Sequence, residues 1–264
     1  MFPCGKNCKL LTANCQLIAI LPDRNKRLML EQYDLSNLMV LDIETVPQYS
    51  SFEEVPPDFQ KLWDLKTQYH RKESTPEEFY DRAGIWAEFG KIICISVGIF
   101  AAGKNMGLRV KSFASHDERE LLEEFSALLN SQPGSLILCA HNGKEFDFPY
   151  ICRRMLINGL KIPSQLDIAG KKPWEINHLD TMELWKFGDY KNYTSLSLLT
   201  AIFNIPTPKD DIDGSQVGHV YWVENDLERI STYCEKDVIA TAQLLRRYRG
   251  EALITDEYIT LVGR

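Results

Sequence analysis

The chain has 264 residues, 44% hydrophobic and 25% charged, and a formal net charge of −7. This is the composition of an ordinary globular protein, long enough for one large domain or two small ones. The negative balance excludes binding to nucleic acid by bulk electrostatics alone, and leaves room for acids gathered at one site with basic residues confined to one groove.

Residues 1–35 read as an N-terminal extension of uncertain structure. Lys6 and Lys9 precede an apolar stretch over 10–21, but Thr12, Asn14 and Gln16 interrupt it and no small-x-small cleavage site follows, so a secretory leader is not the expectation. No run approaches a membrane span. Cys4, Cys8 and Cys15 match no zinc spacing. The seven cysteines are irregularly placed, and Cys94, Cys139 and Cys152 sit in or beside apolar runs, which fits a reduced, cytoplasmic protein. A start near Met29 would lose none of the motifs below.

The first core strand is expected over 38–44, ended by Pro47. Side chains alternate along a strand, so Asp42 and Glu44 point the same way, with Leu41 and Ile43 opposite. Two acids on one face repel unless they face solvent or a divalent cation lies between them. Residues 48–90 read as a helical insertion, with one helix around Phe59, Leu62 and Trp63 and a second capped at Ser74–Glu78 with Pro76 in its first turn. That insertion is either a wall of a substrate groove or surface ornament. Strands are expected over 91–100 and 108–114, joined by a turn at Gly103–Gly107, then a helix over 116–130 and a buried strand over 135–140. A helix follows through Ile157, then a short strand over 174–180, a helix over 195–203, a loop over 206–223 and a long helix over 224–249. The domain is placed at 36–250, with 251–264 as a C-terminal tail. The order of elements predicts a mixed α/β sheet flanked by helices.

Asp147 lies just past a buried strand at the mouth of a helix, where a side chain can reach the sheet edge that ligands use. Alone it reads more simply as a helix N-cap. Tyr233 and Asp237 are spaced i, i+4 and share a helix face with Ile230 and Thr241, which should look inward. A buried Asp on that face needs a partner, no Lys or Arg stands there at helical spacing, and a metal ion is the economical answer. Residues 209–214 (KDDIDG) read as a turn rather than a calcium loop, because Lys209 takes the first ligand position. His141 reads equally as a substrate contact or a structural residue, and Arg153-Arg154, Lys171-Lys172 and Arg246-Arg247-Arg249 as solvated faces, one or two of which line a path for a strand.

Asp42-x-Glu44-Thr45 on a first strand, Asn142-x-x-x-Phe146-Asp147 entering a helix, and Tyr233-x-x-x-Asp237 on a late helix resemble the DEDD superfamily of 3′–5′ exonucleases. More narrowly they are similar to its DEDDy (DnaQ-like) branch. The stretch 83–92 (AGIWAEFGKI), with Asp213-Gly214-Ser215, resembles the predicted exonucleases related to the proofreading domain of family-B DNA polymerases. The resemblance covers about residues 38–250. It implies an RNase H-like fold and hydrolysis of a terminal phosphodiester with two ions, Mg²⁺ or Mn²⁺, which suit hard oxygen ligands. It implies Asp42 as the ligand shared by both ions, Glu44 and Asp237 completing the site on the side of the attacking water, and Asp147 supporting the second ion. It further implies Tyr233 orienting the water, Asn142 and Phe146 touching the terminal nucleotide, and the backbone of Ile43 and Thr45 holding the 3′ end. The expected substrate is a single-stranded 3′ end, DNA in preference to RNA, cut to nucleoside monophosphates, with no membrane partner. An RNA-trimming enzyme, a non-catalytic nucleic-acid-binding module and a metal-stabilised scaffold are the alternatives. No polymerase region accompanies the motifs, so proofreading or DNA repair in trans is the expectation.

Overall fold

A computed structural model describes residues 29–263, apart from 102, 104, 105, 190, 192 and 207–211. Residues 1–28 and the first half of the 209–214 turn therefore lie outside the described residues. The strands are β1 (Leu38–Pro47), β2 (Gly90–Ala101), β3 (Gly107–Ala114), β4 (Ile137–Ala140), β5 (Leu179–Asp180) and β6 (Ile259–Val262). The α-helices are α1 (Pro57–Thr67), α2 (Glu118–Asn130), α3 (Asp147–Ile157), α4 (Thr181–Lys186), α5 (Leu196–Ile202), α6 (Val217–His219) and α7 (Leu227–Tyr248).

The strands form one sheet in the order β5-β4-β1-β2-β3-β6. The β1–β2 and β2–β3 pairs are antiparallel, whereas β1–β4, β4–β5 and β3–β6 are parallel. This is the RNase H-like mixed sheet flanked by helices that the sequence leads one to expect. One end of the sheet therefore gathers the C-terminal ends of β1, β3, β4 and β5 with the start of β2, the end at which ligands sit in open α/β sheets.

β1 is apolar on both faces because both are covered. Met39, Leu41 and Ile43 pack against Leu121 and Phe125 of α2 and Phe148, Ile151 and Met155 of α3. Leu38 and Val40 face Val238, Ala242 and Leu245 of α7, and Val46 faces Ile230 and Cys234 of the same helix. Each such fully buried aliphatic side chain contributes about 1.5–3 kcal/mol relative to exposure. Asp42 and Glu44 interrupt the α7 face of this strand alone. The β1–β2 register slips between Glu44 and Thr45, a bulge of the kind found beside active sites.

The boundaries of β2, β3, α2, α3, α5 and α7 fall within a few residues of those expected. Four segments differ. Thr75 and Glu78 form the reciprocal capping pair (Glu78 N–H to Thr75 Oγ1, 3.2 Å; Thr75 N–H to Glu78 Oε2, 2.9 Å). No α-helix follows, only a 3-10 helix at Tyr80–Ile85. The reason is tertiary: a Cβ on Gly84 would lie 3.0 Å from the Val46 carbonyl carbon, so this backbone is pressed onto β1. The strand expected over 174–180 shrinks to β5, because only Leu179 and Asp180 reach β4 and Pro173–Glu175 turns as a 3-10 helix. Within the loop expected over 206–223, α6 and a π-helical turn at Val220–Glu224 pack Val217, Val220 and Tyr221 onto Val46 and Cys94. The tail expected after residue 250 returns as β6 alongside β3.

Candidate active site

β1 delivers Asp42 and Glu44 to the side of the sheet covered by α7; Glu44 is buried and Asp42 half-buried. The loop after β4 turns sharply at Asn142, whose φ is +66°. At Gly143 an added Cβ would fall 2.3 Å from the Cβ of Ala140, so only glycine lets the loop fold back there. Asp147 then opens α3 and is buried. It is not the N-cap; that position is Phe146, which makes no side-chain capping bond. Tyr233 and Asp237 come from α7, one turn apart, and the tyrosine hydroxyl is hydrogen-bonded to the Asp237 carboxylate. The structure thus brings Asp42, Glu44, Asp147, Tyr233 and Asp237 to one place from three elements.

Their mutual influence is plain in their proton affinities. Burial, then the charges of Asp147, Glu44 and Asp237, push the Asp42 carboxyl well above the usual range. Burial, then Asp237, raises Glu44 in the same way. Asp147 is pushed up to about 7, mainly by burial, although its own backbone N–H and that of Ile43 hydrogen-bond to it and oppose the rise. Burial and the charges of Asp237, Glu44 and Asp42 raise the Tyr233 phenol. The largest influences on Asp42, Glu44 and Asp147 are burial and one another's charge. Buried oxygen ligands crowded together in this way fit a hard divalent cation.

The neighbours expected to touch substrate are placed as follows. The Ile43 amide is engaged by the Asp147 carboxylate. Thr45 Oγ1 donates to the Gly84 carbonyl at 2.8 Å, which binds the insertion to β1. Asn142 Oδ1 is buried with no hydrogen-bond partner among the described residues. Phe146 is half-buried with its ring 5.3 Å from that of Tyr150.

Two residues of the site escaped the sequence reading. Cys234 Sγ lies 3.4 Å from both Asp42 Oδ2 and the Asp42 carbonyl, and Asp42, Glu44 and Cys234 offer ligand atoms all within 4.8 Å of one another. Its position next to Tyr233 in the motif was the available signal. Asp180, buried at the end of β5, accepts from the backbone N–H of Asn142 (3.0 Å) and Lys144 (3.1 Å), and from those of Met182 and Glu183 at the start of α4. It locks the Asn142–Asp147 loop to α4, and no local pattern announces a bond across that distance in sequence.

His141 proves structural: Nδ1 lies 2.9 Å from Thr181 Oγ1 and Nε2 3.0 Å from the Thr194 carbonyl, and burial pushes its pKa down. Of the basic clusters, Arg154 is buried in an ion pair with Glu118, and Arg246 and Arg249 both pair with Glu251. These are internal braces rather than solvated faces. Among the described residues no helix is long and apolar enough to cross a membrane.

Comparison with known proteins gave three findings. The model of a family described as predicted 3′-5′ exonucleases related to the exonuclease domain of PolB matches residues 85–259. A DNA polymerase of Pyrococcus glycovorans is 24% identical over 143 residues, which are 50% of this chain and 18% of that protein. The chain thus spans under a fifth of that relative's length. The structure of the family B DNA polymerase from the hyperthermophilic archaeon Pyrobaculum calidifontis aligns with a TM-score of 0.48 at 15% identity, covering 80% of this chain and 24% of that one.

Proposed function

The chain belongs to the predicted 3′-5′ exonucleases related to the exonuclease domain of PolB, and we propose that it removes nucleoside monophosphates from the 3′ end of single-stranded DNA. The observation that carries this reading is the convergence of Asp42, Glu44, Asp147 and Asp237 at one end of the sheet, with Asp42, Glu44 and Asp147 each raised by burial and by neighbouring acids. Such a cluster is costly in isolation and becomes favourable around cations.

Asp42, Glu44, Asp147 and Asp237 would hold two divalent ions, Mg²⁺ or Mn²⁺. When bound, such a pair supplies charge stabilisation to both the attacking and the leaving oxygen of a phosphodiester. The chain's own part is positioning. Asp42 feels the charges of Asp147, Glu44 and Asp237 alike, and would be the acid that contributes to holding both ions. The Tyr233 phenol stays protonated because burial, and then the charges of Asp237, Glu44 and Asp42, raise it. It therefore orients a water as a hydrogen-bond donor or acceptor and does not act as a base. Asn142 and the half-buried Phe146 stand on the loop that leads to Asp147 and would contact the terminal nucleotide. A role in proofreading or repair, in a reduced, cytoplasmic setting, completes the proposal.

The test is turnover of a 5′-labelled single-stranded DNA and its RNA counterpart with Mn²⁺, Mg²⁺ or EDTA, comparing the native chain with Asp42→Ala. The expected result is a metal-dependent ladder shortening from the 3′ end of DNA, lost in the variant. A ladder on RNA alone keeps the mechanism and overturns the substrate. Intact substrate in every lane, with Mn²⁺ still raising the melting temperature, overturns the enzyme and leaves a metal-binding scaffold.

A further inference from the structure

Lys91 stands at the start of β2, opposite Val46. It shares the α7 side of the sheet with Glu44 and Val46, because Val46 packs on Val220 and Tyr221 of the π-helical turn and Lys91 meets the same turn. Its ammonium donates to Tyr221 Oη at 2.9 Å and lies 4.8 Å from the ring centres of both Tyr221 and Trp222. Tyr221 Oη is also 3.0 Å from His116 Nδ1, contributed by the loop after β3. Trp222 is fixed in turn by its indole N–H, which donates to the Pro47 carbonyl at 3.2 Å.

Three features set this lysine apart. It is half-buried, yet among the described residues no carboxylate lies within ion-pair distance of it. Two of its three N–H donors have no partner among the described residues. Its neighbours are aromatic faces, which hold a cation in place without neutralising it. The site also lies at the right end of the sheet. Glu44 and Val46 are two residues apart on one strand, about 7 Å, and Lys91 is one strand over, about 5 Å. π-helical turns are rare and recur at functional sites, and this one exists to bring Tyr221 and Trp222 over the end of β1 and β2.

We propose that Lys91, seated between Tyr221 and Trp222, anchors a phosphate of the nucleic-acid strand on the β2 side of the groove. The inference rests on the exonuclease reading above and adds the direction in which the strand leaves the metal-binding acids, past Val46 and over the π-helical turn. In a chain of net charge −7, an ammonium held between two aromatic rings on the same side of the sheet as the acids gives the polyanionic substrate a local attachment that bulk charge does not.

The experiment is steady-state cleavage of a 5′-labelled single-stranded DNA with Mn²⁺, at KCl concentrations from 50 to 200 mM, for the native chain, Lys91→Gln, Lys91→Arg and Tyr221→Phe. Lys91→Gln keeps an N–H donor on a side chain one atom shorter and removes the positive charge, with its attraction to the two rings. It is expected to lower kcat/KM through KM by about 3–10-fold at 50 mM, with kcat within about two-fold, because one phosphate contact is lost. The plot of log kcat/KM against log salt should become shallower by about 0.7, the contribution of one phosphate on a single strand, so the defect shrinks about 2.6-fold across that salt range. Lys91→Arg should restore the native slope, and Tyr221→Phe should raise KM modestly with the slope intact. A Lys91→Gln enzyme with native KM and native slope overturns the proposal. So does a Lys91→Arg enzyme as impaired as Lys91→Gln, which would mark packing as the role; a melting curve for each variant separates a folding defect from either. A native chain that cuts no nucleic acid overturns the exonuclease reading itself, and is told apart because it needs no variant.

Discussion

Glu118 and Arg154 form the most consequential ion pair away from the acidic cluster, and neutralising one partner should be costly. The Glu118 carboxylate accepts from Arg154 Nε (2.8 Å) and Nη2, from the Ile92 backbone N–H (2.7 Å) and from Asn158 Nδ2 (2.9 Å). Arg154 Nη1 donates to the Ala87 carbonyl at 2.9 Å. The pair is buried, with side chains 3% and 7% exposed, and it joins α2, α3, the start of β2 and the end of the insertion. In Glu118→Gln the amide keeps the shape but faces donors with an NH₂ group, and it strands the guanidinium without a counter-charge. Breaking a buried pair from one side costs about 3–5 kcal/mol, which at about 2–4 °C per kcal/mol for a domain of this size is a fall of roughly 6–20 °C in melting temperature. Urea melts should show an unchanged m-value and a lower midpoint. The double variant Glu118→Gln/Arg154→Met should lose less than the sum of the single losses, since it removes the stranded charge, though Ile92 N–H and the Ala87 carbonyl still lose partners. A Glu118→Gln chain within about 1 kcal/mol of native would refute the idea that this pair is desolvated and essential.

Three further outcomes follow from the acidic cluster. Asp42→Asn should abolish turnover and the stabilisation by Mn²⁺, yet raise the metal-free stability by about 1 kcal/mol, because it relieves like-charge repulsion; calorimetry with and without Mn²⁺ reads both. Because Asp147 has a folded pKa of about 7 against an ordinary value of 3.8, the folded state binds more protons than the unfolded one between those values, so metal-free stability should rise as pH falls from about 7 to 4. Saturating Mn²⁺ should flatten or reverse that trend, and a metal-free chain that loses stability steadily on acidification would contradict the raised carboxyl. Tyr233→Phe should lower kcat by about 10–100-fold while leaving the Mn²⁺-dependent rise in melting temperature unchanged, since the phenol orients water and is not a ligand; an equal loss of metal stabilisation would reassign it.

The sequence disclosed those parts of the molecule that repeat on a short period. β1 is legible because Leu38, Val40, Asp42, Glu44 and Val46 alternate with Met39, Leu41 and Ile43, and one face carries the acids. Tyr233 and Asp237 are legible because one helical turn separates them on a face that is otherwise apolar. What stayed hidden depends on partners remote in sequence. Arg154 looks like half of an exposed basic pair until Glu118, 36 residues away, is brought to it. Asp180 looks like a strand residue until it is seen to cap α4 and hold the Asn142 loop. β6 is short and polar at Thr260, and only its pairing with β3 makes it a strand. Cys234, on α7, is buried in the core, yet its sulfur faces Asp42.

The same remoteness explains how a fold can keep several acids together. The cluster opposes folding wherever no cation is bound, so its geometry has to be imposed by elements that are stable without it. Asp180 fixes the loop that leads to Asp147, and the Glu118–Arg154 pair fixes the far end of the same helix. The insertion contributes from the other side: the Gly84 carbonyl accepts from Thr45 Oγ1 and from Tyr150 Oη, both at 2.8 Å, so one peptide ties β1 and α3 to the 3-10 helix. Behind it, Trp63 packs edge-on against Tyr80, Trp86 and Phe89 and donates its indole N–H to the Pro76 carbonyl. The insertion is therefore a rigid wall at the end of β1 and not a loose ornament. Loosening it by Trp63→Ala, a change worth about 3–5 kcal/mol in a packed site, should impair turnover more than a surface change of equal cost elsewhere, because Thr45 and Asp147 would both lose their common support.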